Sequence, residues 1–161
     1  MPDNGFRTIL DAYSDGSAHE PALPTAQQAA ANAASLPGQH DSATGTFLPA
    51  GVSIPQNMKD AEQHPWDLPW FYGMVHGGGP WDYRGTQGGQ YENAGNFNYG
   101  AAGTALGLPQ WLLDRAAGAY QIYRGSQPSV GNPFGSAPYG DDPRDQWEIN
   151  RGIAYARRHS T

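Results

Sequence analysis

Three stretches of the chain concentrate residues able to do chemistry. They are Gly77-Gly-Gly-Pro-Trp-Asp-Tyr-Arg84, Tyr91-Glu-Asn-Ala-Gly-Asn-Phe-Asn-Tyr-Gly100 and Pro138-Tyr-Gly-Asp-Asp-Pro-Arg-Asp-Gln146. Together they supply Asp82, Glu92, Asp141, Asp142 and Asp145, set among Trp, Tyr, Asn and Gly. Two carboxyls of unequal pKa suffice to cleave a glycosidic bond: one protonates the leaving oxygen while the other activates water or attacks. Aromatic faces suit sugar rings, and Asn and Asp side chains suit their hydroxyls. On this reading Glu92 is the general acid, its pKa raised by desolvation near Tyr91 and Phe97. Asp82 or Asp141 is the second carboxylate. Trp81, Tyr83, Arg84, Asn96, Asn98, Tyr99, Tyr139 and Asp145 are the substrate-binding candidates. This chemistry requires neither a metal nor another cofactor. A second chemistry draws on overlapping residues: Arg84, Arg144 and His76 neutralise a phosphate and move protons, or Asp82, Asp141 and Asp145 hold a divalent metal, as in a nuclease.

Several of these residues also have plainer roles. Asp142 precedes a proline and reads as a helix N-cap, and Asp145 is the third residue of that helix, where an acid favours the dipole. Asp82 can pair with Arg84 or cap a turn, Glu92 can be a solvated loop residue, and loop asparagines such as Asn96 and Asn98 commonly bond their own backbone. His76 reads as the last residue of a helix before three glycines. Asp141 has no such local role, which makes it the stronger functional candidate of its string.

The elements that must position these groups are mainly helical. Thr25 N-caps an alanine-rich helix over residues 26–35 that Pro37-Gly38 stops, and a polar loop follows over residues 39–46. Short helices are predicted over Asn57–Gln63 and Leu68–His76, the second with Trp70, Phe71 and Met74 on an apolar side. Pro109–Arg124 predicts a longer helix with Leu112, Ala116, Ala119, Tyr120 and Tyr123 on its apolar face, stopped by Gly125. Asp142-Pro143 opens a last helix to about Arg158 that buries Trp147, Ile149 and Ile153. Gly152 inside it implies close packing against another element. Between Gly73 and Gly107, 11 of 35 residues are glycine, interleaved with Trp81, Tyr83, Tyr91, Phe97 and Tyr99. This stretch reads as an ordered, shaped loop surface or a small β-hairpin. The expected fold is mainly α, α+β at most: a compact helical domain over residues 48–161, behind an acidic, Ala/Pro-rich and partly disordered arm over residues 1–47.

Composition narrows the function. Glycine (22) and proline (14) are abundant, yet aromatics make up 12% of the 161 residues, enough to build a core. The net charge is −6. Eight acids against two bases fall in residues 1–69, while residues 70–161 are balanced. Neither part has the basic excess of a strong nucleic-acid binder. Cysteine is absent, which excludes thiol catalysis and cysteine metal sites. No long apolar run predicts a membrane span, and the first residues lack the basic and apolar regions of a secretory signal. No nucleophile elbow, phosphate-binding loop or H-E-x-x-H motif is present, and the five histidines lack metal-ligand spacing.

The three strings, in this order, resemble the bacterial polymorphic-toxin type 44 domain (bacterial toxin 44 family), over roughly Leu48 to His159. The likeness includes Pro-Trp-Asp-Tyr, Gly-Asn-Phe-Asn-Tyr-Gly, the helix with Ala116-Ala-Gly118, and Tyr-Gly-Asp-Asp-Pro with Asp145-Gln146. It departs from the family pattern at Arg84, where a lysine is usual, and at Asn93-Ala94. The resemblance implies an antibacterial effector of interbacterial competition, secreted by a non-Sec route into a target cell. It also implies a cognate immunity protein and a secretion-system component or chaperone as partners. Joined to the carboxylate reading, the expectation is a muramidase-like peptidoglycan hydrolase acting in the periplasm without stable membrane insertion. The alternatives are an RNase acting in the target cytoplasm and a non-enzymatic binding module.

Overall fold

A computed structural model of the chain describes residues 38–125 and 131–160. The helix expected over residues 26–35 lies outside them, as does most of the acidic arm. The described chain opens with an antiparallel hairpin of β1 (Gln39–Asp41) and β2 (Thr46–Leu48), with Gln39 opposite Leu48 and Asp41 opposite Thr46. Asp41 shapes the turn by accepting from the Thr44 amide at 3.1 Å and the Thr44 hydroxyl at 2.6 Å. The expected polar loop over residues 39–46 is therefore a hairpin. It straddles residue 48, and β2 packs against the helix over Glu92–Ala105.

Six helices follow among the described residues: α1 (Ile54–Glu62), α2 (Leu68–Val75), α3 (Tyr83–Gln87), α4 (Glu92–Ala105), α5 (Gln110–Tyr123) and α6 (Pro143–His159), with a 3-10 turn at Gly89–Tyr91. The mainly α expectation holds. Three helices begin on the same device, a side-chain cap followed by an early proline. Ser53 accepts from the Gln56 amide, Asp67 from that of Trp70 and Asp142 from that of Arg144. No described helix is long and apolar enough to cross a membrane.

The glycine-rich stretch departs from expectation. It is neither an extended loop nor a hairpin but the end of α2, all of α3 and the central helix α4. The reason is close packing. A Cβ on Gly100 would lie 2.0 Å from the Ile149 carbonyl oxygen, and one on Gly152 would lie 2.0 Å from that of Phe97. The backbones of α4 and α6 thus meet at a separation that admits no side chain, in the most extensive contact between elements. Phe97, Ala101, Ile149, Ile153 and Ala156 close the core around it. The implied close packing at Gly152 is this contact.

Trp147 corrects a second expectation: it is 61% exposed rather than buried. It stands two residues from Ile149, about 200° around the helix, so the face that buries Ile149 and Ile153 turns Trp147 outward. Its ring lies under the Arg151 guanidinium at 4.8 Å. Arg151 also pairs with Glu148 at 2.7 Å and donates to the Thr44 carbonyl at 2.7 Å, tying the hairpin to α6. On α5 the expected apolar face is only partly covered, since Tyr123 is exposed.

Adding one methyl at the helix contact is expected to cost about 3 kcal/mol or more, because only main-chain atoms stand in its way. Gly152→Ala should lower Tm by about 10 °C, whereas Gly51→Ser, where a Cβ meets no atom within 4 Å, should change it far less despite its positive φ. Thermal unfolding of the two variants checks this.

Candidate functional site

Asp145 sits in the first turn of α6, placed there by the Asp142 cap and Pro143. One oxygen accepts from the Asn96 side chain of α4 at 2.9 Å and the other from Gln121 of α5 at 3.0 Å. Three helices thereby fix one carboxyl. Burial, then the negative charges of Glu92 and Asp142, push its pKa up from 3.8 to about 6.

Asp141 lies just before the helix, only 1% exposed. It reaches this depth because the chain passes directly over α5: a Cβ on Gly118 would stand 2.0 Å from the Tyr139 carbonyl oxygen. One Asp141 oxygen accepts from the Asp142 amide and the other from Gln146, both at 2.9 Å. Gln146 also donates to the Asp114 carbonyl at 3.0 Å. Burial, reinforced by the nearby Asp145 charge, raises Asp141 to about 6 as well, against the lowering effect of its hydrogen bonds. Behind it Tyr99 donates to the Leu113 carbonyl at 2.9 Å, and burial raises its hydroxyl.

The facing wall comes from α3 and the start of α4. Asp82 caps α3, one oxygen accepting from the Gly85 amide at 2.9 Å and the other from Gly78 at 2.8 Å. Arg84 projects from α3 and pairs with Glu92, the first residue of α4. The Glu92 side chain is 38% exposed, so the desolvation expected around it is not what surrounds it; a guanidinium does.

These walls enclose one cavity of about 620 Å³, lined by Asp82, Glu92, Asp141 and Asp145 together with Trp81, Arg84, Asn96 and Tyr99. Three distant strings therefore converge. Tyr83, Asn98 and Tyr139 do not line it. Asn57 of α1 donates both to the Tyr83 hydroxyl at 2.7 Å and to the Asn98 side chain at 2.8 Å, and both residues are buried in the core. Asn98 thus faces the core from a helix rather than a substrate from a loop. Tyr139 lies under the Arg115 guanidinium at 4.8 Å. Sequence reasoning missed Gln121, Tyr120 and Arg124, which line the cavity from α5. Their helical spacing with Ala117 was the available signal. Among the described residues no group of three or more His, Asp or Glu side chains is arranged to hold a metal ion.

The raised carboxyls make stability depend on pH in a defined direction. Asp141 and Asp145 hold their protons more tightly folded than unfolded (about 6 against 3.8), so the folded state is favoured most below about pH 4 by these two groups. That contribution fades as pH rises through about 6. Tm is expected to fall between pH 5 and pH 7, and Asp145→Asn, with the Gln121 amide turned to present its oxygen, should shrink that fall. Thermal melts across this range measure it.

Residues 84–158, just under half of the chain, match the model of a family described as Bacterial toxin 44. The match takes in the second and third strings and begins at the last residue of the first. No curated protein and no solved structure matches the chain.

Proposed function

With a Bacterial toxin 44 domain across residues 84–158 as the premise, we propose that this toxin hydrolyses the glycan strands of bacterial peptidoglycan. The observation that carries the reading is a pair of carboxyls in unlike settings within one cavity: Asp145 desolvated and raised to about 6, Glu92 ion-paired with Arg84. Unlike settings divide acid from base. Asp145 keeps its proton up to about pH 6, above the ordinary carboxyl range, and delivers it to the leaving glycosidic oxygen. Glu92, held by Arg84, activates water or attacks the sugar carbon. Asn96 and Gln121 hold Asp145 in place, while Asp141 and Gln146 brace the turn before it. The roles differ from the sequence expectation, in which Glu92 was the acid and Asp145 a binding residue, because burial falls on Asp145. Asp82, with both oxygens on backbone amides, shapes the wall.

Charge favours a glycan over RNA. The cavity carries four carboxyls against Arg84 and Arg124, a poor surface for a polyphosphate. The family match supports a toxin, and a wall substrate places its action in the periplasm of a target cell after export by a non-Sec route. A cognate immunity protein that covers this cavity, and a secretion-system component or chaperone, complete the proposal.

Purified peptidoglycan and total RNA, each incubated with the protein, test it. Soluble muropeptides beside intact RNA are expected; degraded RNA with an intact wall overturns it. Glu92→Gln and Asp145→Asn should each lower muropeptide release at least about a hundredfold. Release by the unmodified protein should decline as pH rises above about 6, where Asp145 loses its proton.

A further inference from the structure

The cavity changes character along its length. Two of its sides are α2 and α5, which run in the same direction. Phe71 and Leu113, each near the start of its helix, both pack over Gly103. At the other end the Gly77 amide, just past α2, donates to the Tyr120 hydroxyl at 2.8 Å. Around these later turns stand the polar groups, Gln121 and Arg124 of α5 with Asp82, Glu92 and Asp145. Around the earlier turns the lining is apolar: Leu68 and Phe71 of α2, and Leu112, Leu113 and Ala116 of α5. A third wall shows the same change. On α6, Ile149 follows Asp145 by four residues, so the acid and the apolar end lie about 6 Å apart along the axis. Leu68, Leu112 and Ala116 are each partly exposed where they line this end. Ala116 contributes only a methyl, so the wall is set back there.

We propose that this apolar end receives the N-acyl methyl of the sugar whose bond is cleaved, so that the enzyme selects N-acylated amino sugars and spares glycans that lack the acyl group. This deepens the peptidoglycan reading and rests on it. An acetamido group on the carbon beside the anomeric centre carries its methyl within about one helical turn of the glycosidic oxygen. That is the separation between Asp145 and Ile149. Covering apolar surface that water otherwise wets gains about fourfold in affinity for each methyl or methylene. Charge alone predicts the opposite preference, because four carboxyls against two arginines favour a free amine, which is cationic. The two effects oppose each other, and affinity decides between them.

The methyl glycosides of N-acetylglucosamine, glucosamine and glucose, titrated into the protein at about pH 6 and followed by NMR, isolate the pocket from catalysis. The N-acetyl sugar is expected to bind at least about fourfold more tightly than either of the others. Ala116→Leu should erase that advantage by filling the apolar end, while leaving glucoside binding and Tm unchanged. Leu112→Ala should move the preference toward the N-butyryl analogue, a gain that a folding defect does not give. Equal binding of the three sugars, tightest binding of the glucosamine, or an advantage that survives Ala116→Leu overturns the pocket. So does tighter binding, lost in Ala116→Leu, of adenosine, which would assign this end to a base of RNA, or of octyl glucoside, which would assign it to a lipid chain. Muropeptide release measured in parallel separates the two ideas. Release without acyl discrimination ends the pocket alone, and discrimination without release ends the hydrolase reading alone.

Discussion

The contact of α4 with α6 sets the geometry of everything around the cavity. Gly100 meets the Ile149 carbonyl and Gly152 that of Phe97, main chain against main chain. Asn96 and Asp145 each stand four residues before the Gly100–Ile149 contact on their own helices, one turn away on the same side. Because helices are stiff over one turn, fixing the first contact fixes the second, and the Asn96–Asp145 hydrogen bond follows. Glu92 lies one turn earlier still on α4, which brings its charge to bear on Asp145. Main-chain contact between helices thus becomes the spacing of acids.

The electrostatics follow from that spacing. Asp141 and Asp145 are both desolvated; the Asp145 charge raises Asp141 further, and the charges of Glu92 and Asp142 raise Asp145. Their hydrogen bonds come from amides, of Asn96, Gln121 and Gln146, not from cations. An amide orients a carboxyl without stabilising its charge as an ion pair does. The one cation drawn tightly to an acid here, Arg84, sits on the opposite wall with Glu92. Two carboxyls on one side are raised to about 6 while the one facing them is paired with a cation.

Helix starts were the most legible part of the sequence, because a cap and a proline act through local backbone geometry alone: Asp142-Pro143 announced α6, and Pro109 the start of α5. The three strings were also legible as one site, being unusual in type and order. What the sequence hid was tertiary. Glycine in α4 serves helix packing, yet the residue has the same letter in a flexible loop, so the central helix read as a surface. Asn98, taken for a substrate ligand, is polar but fully buried, since its partner Asn57 lies 41 residues away. Trp147 looked like core by size, but its angular position on α6 decided otherwise. The contrast in setting between Asp145 and Glu92 depends on burial and on Arg84, which no spacing reveals.

The seating of Asp141 rests on atoms every amino acid possesses: the Tyr139 carbonyl lies on Gly118 and the Asp142 amide on the carboxyl itself. Side chains at residues 131–137, most of them exposed, take little part in holding it. Mutational drift in that segment leaves the buried acid where it is. The outward face of this segment can therefore change while the buried acid behind it keeps its seat.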